Sequence, residues 1–167
     1  MTAKTNQKKK FPWKEGDWVA VPLVRRGGWG VGIIVRRKGR AIVGYFFGPR
    51  RPEPPPLESV IGLRPEQAVL IANTGDLGLR EKEWHLLGSQ PDYARSNWPL
   101  PEFGRDDLFG SYYAVTHDDD DPDEVLRERR ISKEEYQLLH QDGVYGHVAL
   151  SLGLDLTLAK LEAQAAA

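Results

Sequence analysis

The stretch "RRGGWGVGIIV", residues 25–35, sets four glycines among branched apolar residues directly after two arginines. It reads either as a glycine loop that cradles phosphate or as a strand with one bare face. A phosphate loop needs GxxxxGK[ST] between strand and helix, or GxGxxG opening a helix. Here Gly28, Gly30 and Gly32 fall at every second residue, and the run continues into Ile33, Ile34 and Val35, which favour a strand. A period of two places the three glycines on one face and Trp29, Val31 and Ile33 on the other, toward the core. A face without side chains permits sharp bending or the close approach of another chain segment. The spacing therefore predicts a strand and excludes a phosphate loop.

Working outward, "EGDWVAVPLV" (15–24) alternates Trp18, Ala20 and Pro22 with Val19, Val21 and Leu23, after turn-forming Gly16 and Asp17. Downstream, "RRKGR" links the glycine strand to "AIVGYFF" (41–47) as a hairpin. Three antiparallel strands in so short a span predict a meander, the usual opening of a strongly bent sheet or small barrel. "GPRRPEPPPLES" (48–59) must be a loop, because its prolines forbid helix and central strand. "LREKEWHLLG" and "SYYAVTH" read as strands, whereas residues 65–73 and 147–154 fit strand or helix equally. "SKEEYQLLHQDG" carries a capping box, Ser132 with Glu135, and predicts a helix that buries Tyr136 and Leu139, with Leu138 a further candidate for the buried face. The predicted fold class is α+β: an N-terminal antiparallel meander with a few helices in the C-terminal half. The predicted boundaries are a disordered basic tail over 1–12, one domain over 13–160 and a frayed tail over 161–167.

The 167 residues contain no cysteine, which excludes disulfides, thiolate nucleophiles and cysteine zinc sites. No apolar run approaches the roughly 18 residues a membrane span needs. The lysines of the first residues precede no apolar segment, so a cytoplasmic location is expected. The net charge of −1 conceals a division. Residues 1–60 hold 13 Lys+Arg against 4 Asp+Glu, and the remaining 107 hold 10 against 20, giving balances of +9 and −10. Segregated charge of this kind points to partner binding or to solubility.

Catalytic constellations are thin. The histidines stand at 85, 117, 140 and 147, without HExxH, and no GxSxG elbow occurs. A calcium loop beginning at Asp118 fails, with Asp123 where glycine is required and Arg129 where the bidentate glutamate belongs. "HDDDDPDE" (117–124) remains. It reads as a solvated acidic loop, as a docking patch for a basic partner, or as a metal or catalytic site.

"GDWVAVPLVRRGGWGVGIIVRR", the "VGYFFG" strand, "LREKEWHLLG" and "WPLPEF" together resemble the immunity protein 26 family, from about Lys14 to about Leu154. The resemblance implies a cytoplasmic antitoxin of a bacterial polymorphic toxin system, which binds a cognate toxin domain and blocks its active site. Such binding needs neither cofactor nor metal. Where the toxin is a cationic nuclease, Asp118, Asp119, Asp120, Asp121, Asp123 and Glu124 are the candidate partner-binding residues.

A small phosphotriesterase is grouped with these proteins, which implies an alternative. Hydrolysis of organophosphate triesters would use an activated water, commonly on a divalent metal, with His117, Asp118, His140 and His147 as candidates. A third reading is a nucleic-acid-binding β module that uses Arg25, Arg26, Arg36, Arg37, Lys38, Arg40, Arg50 and Arg51. The acidic second half weighs against it.

Overall fold

The structure is a computed structural model and describes residues 12–167. The tail expected over 1–12 lies outside the described residues, apart from Pro12. The strands are β1 (Asp17–Pro22), β2 (Trp29–Lys38), β3 (Ala41–Arg51), β4 (Leu70–Gly75), β5 (His85–Ser89), β6 (Phe103–Asp106), β7 (Tyr112–His117), β8 (Val125–Ile131), β9 (His140–Gln141) and β10 (Val144–Tyr145). The α-helices are α1 (Leu77–Arg80), α2 (Lys133–Tyr136) and α3 (His147–Ala165).

The strands form two sheets. A six-stranded sheet has the order β10-β4-β3-β2-β1-β5, and a four-stranded sheet has the order β8-β7-β6-β9. Strands β1, β2 and β3 do follow one another as antiparallel neighbours. The fold class drawn around them needs correction. Both sheets are mixed, because β10 joins β4 in parallel and β9 joins β6 in parallel. Neither closes into a barrel, and the fold is α+β-like, with 38% strand against 23% helix among the described residues. Beside α2 and α3, the C-terminal half holds the six strands β5 to β10.

The physical reason is tertiary pairing. The N-cap half of the capping box forms, Glu135 N–H donating to Ser132 Oγ at 3.1 Å while Glu135 Oε1 accepts from Arg129, yet α2 stops after four residues and β9 takes over His140 and Gln141. Strand β8, "VLRERRI", has no apolar alternation and is defined by its ladder with β7. The two ambiguous stretches resolve oppositely. A 3-10 turn over Pro65–Gln67 leads into β4, and 147–154 opens α3, which continues to Ala165 through positions 161–165.

The large sheet is buried on both faces. Val19, Val21, Ile34 and Phe46 pack on one side with Leu150 and Leu154 of α3, while Trp18, Val31, Ile33 and Phe47 pack on the other with Trp98 and Phe103. The glycine stripe of β2 serves that first side. A Cβ on Gly30 would stand 2.6 Å from Leu154 Cδ2, and one on Gly32 would stand 2.5 Å from Phe46 Cδ1. The bare face thus makes room for α3 and an aromatic ring. Val31 and Ile33 face the core as expected, whereas Trp29 is half-buried against the His85 ring, with centroids 4.8 Å apart. The arginines before the glycines use their backbone: the N–H groups of Arg25 and Arg26 donate to buried Asp155 of α3 at 2.9 and 2.8 Å. Among the described residues, no helix is long and apolar enough to cross a membrane.

Candidate functional site

Strand β7 ends at His117, and the chain turns through 118–124 before β8 returns beside it. Asp118 builds the turn. Its Oδ1 accepts the N–H groups of Asp120 and Asp121 at 2.9 and 2.8 Å, and its own N–H donates to the Glu124 carbonyl at 2.9 Å. A short carboxylate side chain is suited to this local bonding. The next three aspartates each meet a cation outside the four-stranded sheet. Asp119 Oδ1 accepts from Arg36 Nε and Nη2 at 3.0 and 2.9 Å, and Asp120 accepts from Arg95 Nη1 at 2.7 Å. Asp121 accepts from Lys38. That bond raises the Lys38 ammonium above its ordinary range and holds the Asp121 carboxyl below its own. Asp123 Oδ1 accepts a hydrogen bond from Asn73 Nδ2 at 2.9 Å.

Arg36 is 1% exposed and also donates to the carbonyls of Val35 and Trp98, at 2.7 and 3.1 Å. A buried guanidinium needs such a full set of acceptors. Glu124 makes no ion pair among the described residues and is exposed. The loop so carries six carboxylates against the three cations it contacts, Arg36, Lys38 and Arg95, and keeps a surplus of negative charge.

Behind the loop, at the seam of the two sheets, lies a half-open cavity of about 170 Å³. Val43, Asn73 and Val144 line it from the large sheet, Phe103, Arg105 and His117 from the small one, and Pro122 and Asp123 from the loop. His117 Nε2 stands 2.6 Å from Asp142 Oδ1, with side chains 11% and 9% exposed. Arg105 donates to the other oxygen of Asp142 through Nε and Nη2, at 2.9 and 2.6 Å. Sequence reasoning passed over Arg105 and Asp142, which carry no motif and come together only through the β6–β7–β9 arrangement.

The four residues of the hydrolase alternative do not converge on one centre. His117 is engaged by Asp142, and Asp118 by its own turn. His140 Nδ1 accepts the N–H of Ile71 at 3.3 Å, and burial lowers the pKa of its ring below the ordinary value. His147, at the start of α3, faces Glu83 at 3.2 Å. Among the described residues one group of three has metal-holding geometry, Glu81, Glu83 and His147, with donor atoms within 4.8 Å of one another, and it contains only one of those four. The basic residues of the nucleic-acid reading are partly committed as well, Arg36 and Lys38 to the loop and Arg50 to Asp155 and Glu162.

Fold and site together define a small α+β protein of two mixed sheets, with a carboxylate-rich loop and a cavity at their seam. Residues 14–115 match the family model of immunity protein 26, more than half of the chain, and the protein belongs to that family. Membership gives it the general role of an immunity protein, with a cognate toxin as partner. No curated protein and no solved structure matches the chain. The match runs from the segment before β1 into β7 and ends before the acidic loop.

Proposed function

We propose that this immunity protein neutralises its cognate toxin domain by laying the face that carries residues 118–124 across a cationic active site. The observation that carries this reading is the pre-ordered, net-negative loop. Asp118 fixes its backbone, Arg36, Lys38 and Arg95 hold it from behind, and Asp120 (side chain 88% exposed) and Glu124 present carboxylates to solvent. A loop ordered before binding loses little conformational freedom on association. Its charge accelerates encounter with a cationic surface and gives that encounter a salt dependence. Asp118, Asp119 and Asp121 serve chiefly to shape the loop in this view, and Asp120, Asp123 and Glu124 to meet the partner. A nuclease fits as the toxin, since its active site must bind phosphate.

The test co-expresses the protein with its cognate toxin domain and measures affinity between the purified pair at several salt concentrations. The double variant Asp120→Asn, Glu124→Gln should lose about tenfold in affinity, mainly through slower association, and flatten the salt dependence. Unchanged affinity and salt slope would remove the loop from the interface.

A further inference from the structure

We infer that the cavity at the seam of the two sheets is an anchoring pocket for a primary alkylammonium group, namely the side chain of a lysine on the bound toxin. This deepens the toxin-binding reading and rests on it.

The chemistry of the walls selects the ligand. Val43, Leu100, Phe103 and Val144 offer an apolar lining to a hydrocarbon stem. Two carboxylates, Asp123 and Asp142, stand in the lining against one arginine, Arg105. Arg105, the cation of the lining, already donates from all three nitrogens to carboxylates, Nε and Nη2 to Asp142 and Nη1 to Glu128 at 3.1 Å. Its positive charge is therefore already matched by two carboxylates, although two of its five N–H groups remain. His117 approaches the Asp142 carboxylate through Nε2, which places the proton there and leaves Nδ1 an acceptor in the neutral ring. That Nδ1 and the Asn73 Oδ1 are buried without a hydrogen-bond partner, so neither adds a donor to the wall.

Asp123 supplies the negative charge at the rim. It makes no ion pair among the described residues, and its Oδ1 accepts from the Asn73 amide. With that oxygen engaged, the carboxylate offers one oxygen to a ligand, which suits the point charge of an ammonium better than the two-pronged guanidinium. The volume agrees: an apolar cavity of roughly 150 Å³ in another protein holds benzene, and the present 170 Å³ has room for a four-carbon stem with its nitrogen.

The test uses the full chain and n-butylammonium as probe, followed by amide chemical shifts. Shifts at Asn73, Phe103, Asp123 and residues 142–144 should saturate with a Kd on the order of 1–10 mM, the range open to so small a ligand. The neutral n-butanol and the anionic butyrate should produce no saturating shifts there, and Asp123→Asn should weaken n-butylammonium at least tenfold. Failure to saturate, or equal binding of n-butanol, overturns the pocket. The source of the ammonium is decided with the toxin domain. Asp123→Asn should weaken the complex at least tenfold, and n-butylammonium should compete where sodium chloride of equal ionic strength does not. A complex that forms but ignores both changes overturns the lysine anchor and leaves the immunity reading intact. If no complex forms, that reading fails and the lysine anchor with it, while the probe titration still decides whether the cavity takes an ammonium.

Discussion

Strand β2 of the six-stranded sheet buries seven of its ten residues, whereas β8 of the four-stranded sheet buries none of its seven. The first sheet is sandwiched between two apolar layers, and its order follows from removing those side chains from water. The second is more polar and, beside the packing of Phe103 in one of those layers, is tied to the first by charged and hydrogen-bonded contacts: Arg36 with Asp119, Lys38 with Asp121, Asn73 with Asp123, and the Ile71 N–H with His140. The division of charge along the chain is thus partly consumed inside the molecule. The large sheet acts as the platform and the small sheet as the presenting surface, attached where the site lies.

Substitutions can break this contrast. The largest effect is expected in the platform: Trp18→Ala empties a fully buried position and should reduce stability by about 4 kcal/mol in urea denaturation. A loss under about 1 kcal/mol would show that the apolar layers do not dominate. Next comes the join. Arg36→Ala removes a buried side chain and strips the Trp98 carbonyl and Asp119 of their donor, while the Val35 carbonyl keeps the Tyr93 hydroxyl, with an expected loss of about 3 kcal/mol. Amide exchange in that variant should rise in 118–124 more than in β2, and uniform acceleration would contradict the division of roles.

A smaller effect should appear with pH. Burial lowers the His140 pKa from 6.5, so its contribution is complete above pH 6.5 and is lost as pH falls through the lower folded-state value. Protonation also removes the acceptor that Ile71 uses. Urea midpoints of the wild type should fall between pH 7 and pH 5 more steeply than those of His140→Gln, and equal slopes would remove this link between the sheets. The smallest effect belongs to the β6–β7 turn, where Leu108 and Phe109 are 99% and 93% exposed. Asp107 holds this turn by accepting the N–H groups of Phe109 and Ser111, both at 2.8 Å. Phe109→Ser should change stability by no more than about 0.5 kcal/mol, and a larger loss would mean that the turn packs against something in solution.

Legibility in the sequence follows the same boundary. The strands of the platform could be read because burial imposes a period of two, and Gly28, Gly30 and Gly32 marked the face that another element approaches. The family was legible for a related reason, since the quoted motifs fall within the matched 14–115. The small sheet was not fully legible. Strand β8 is polar, β9 and β10 are two residues each, and parallel pairing brings together segments with no local signal of each other. Part of the site was visible as "HDDDDPDE", yet the partners of its aspartates were not. Arg36 and Asp119 are separated by 83 positions, as are Lys38 and Asp121.

The sequence by itself determined the β1–β2–β3 strands, the absence of thiol chemistry and the family, because these depend on local periodicity, composition and contiguous motif. Only the tertiary structure decided that the glycine stripe receives Leu154 and Phe46, that the acidic loop locks onto Arg36, Arg95 and Lys38, and that Arg105, His117 and Asp142 meet beside a cavity. Each of these depends on contacts between distant segments, which form only when burial of the large sheet has fixed where the charged groups stand.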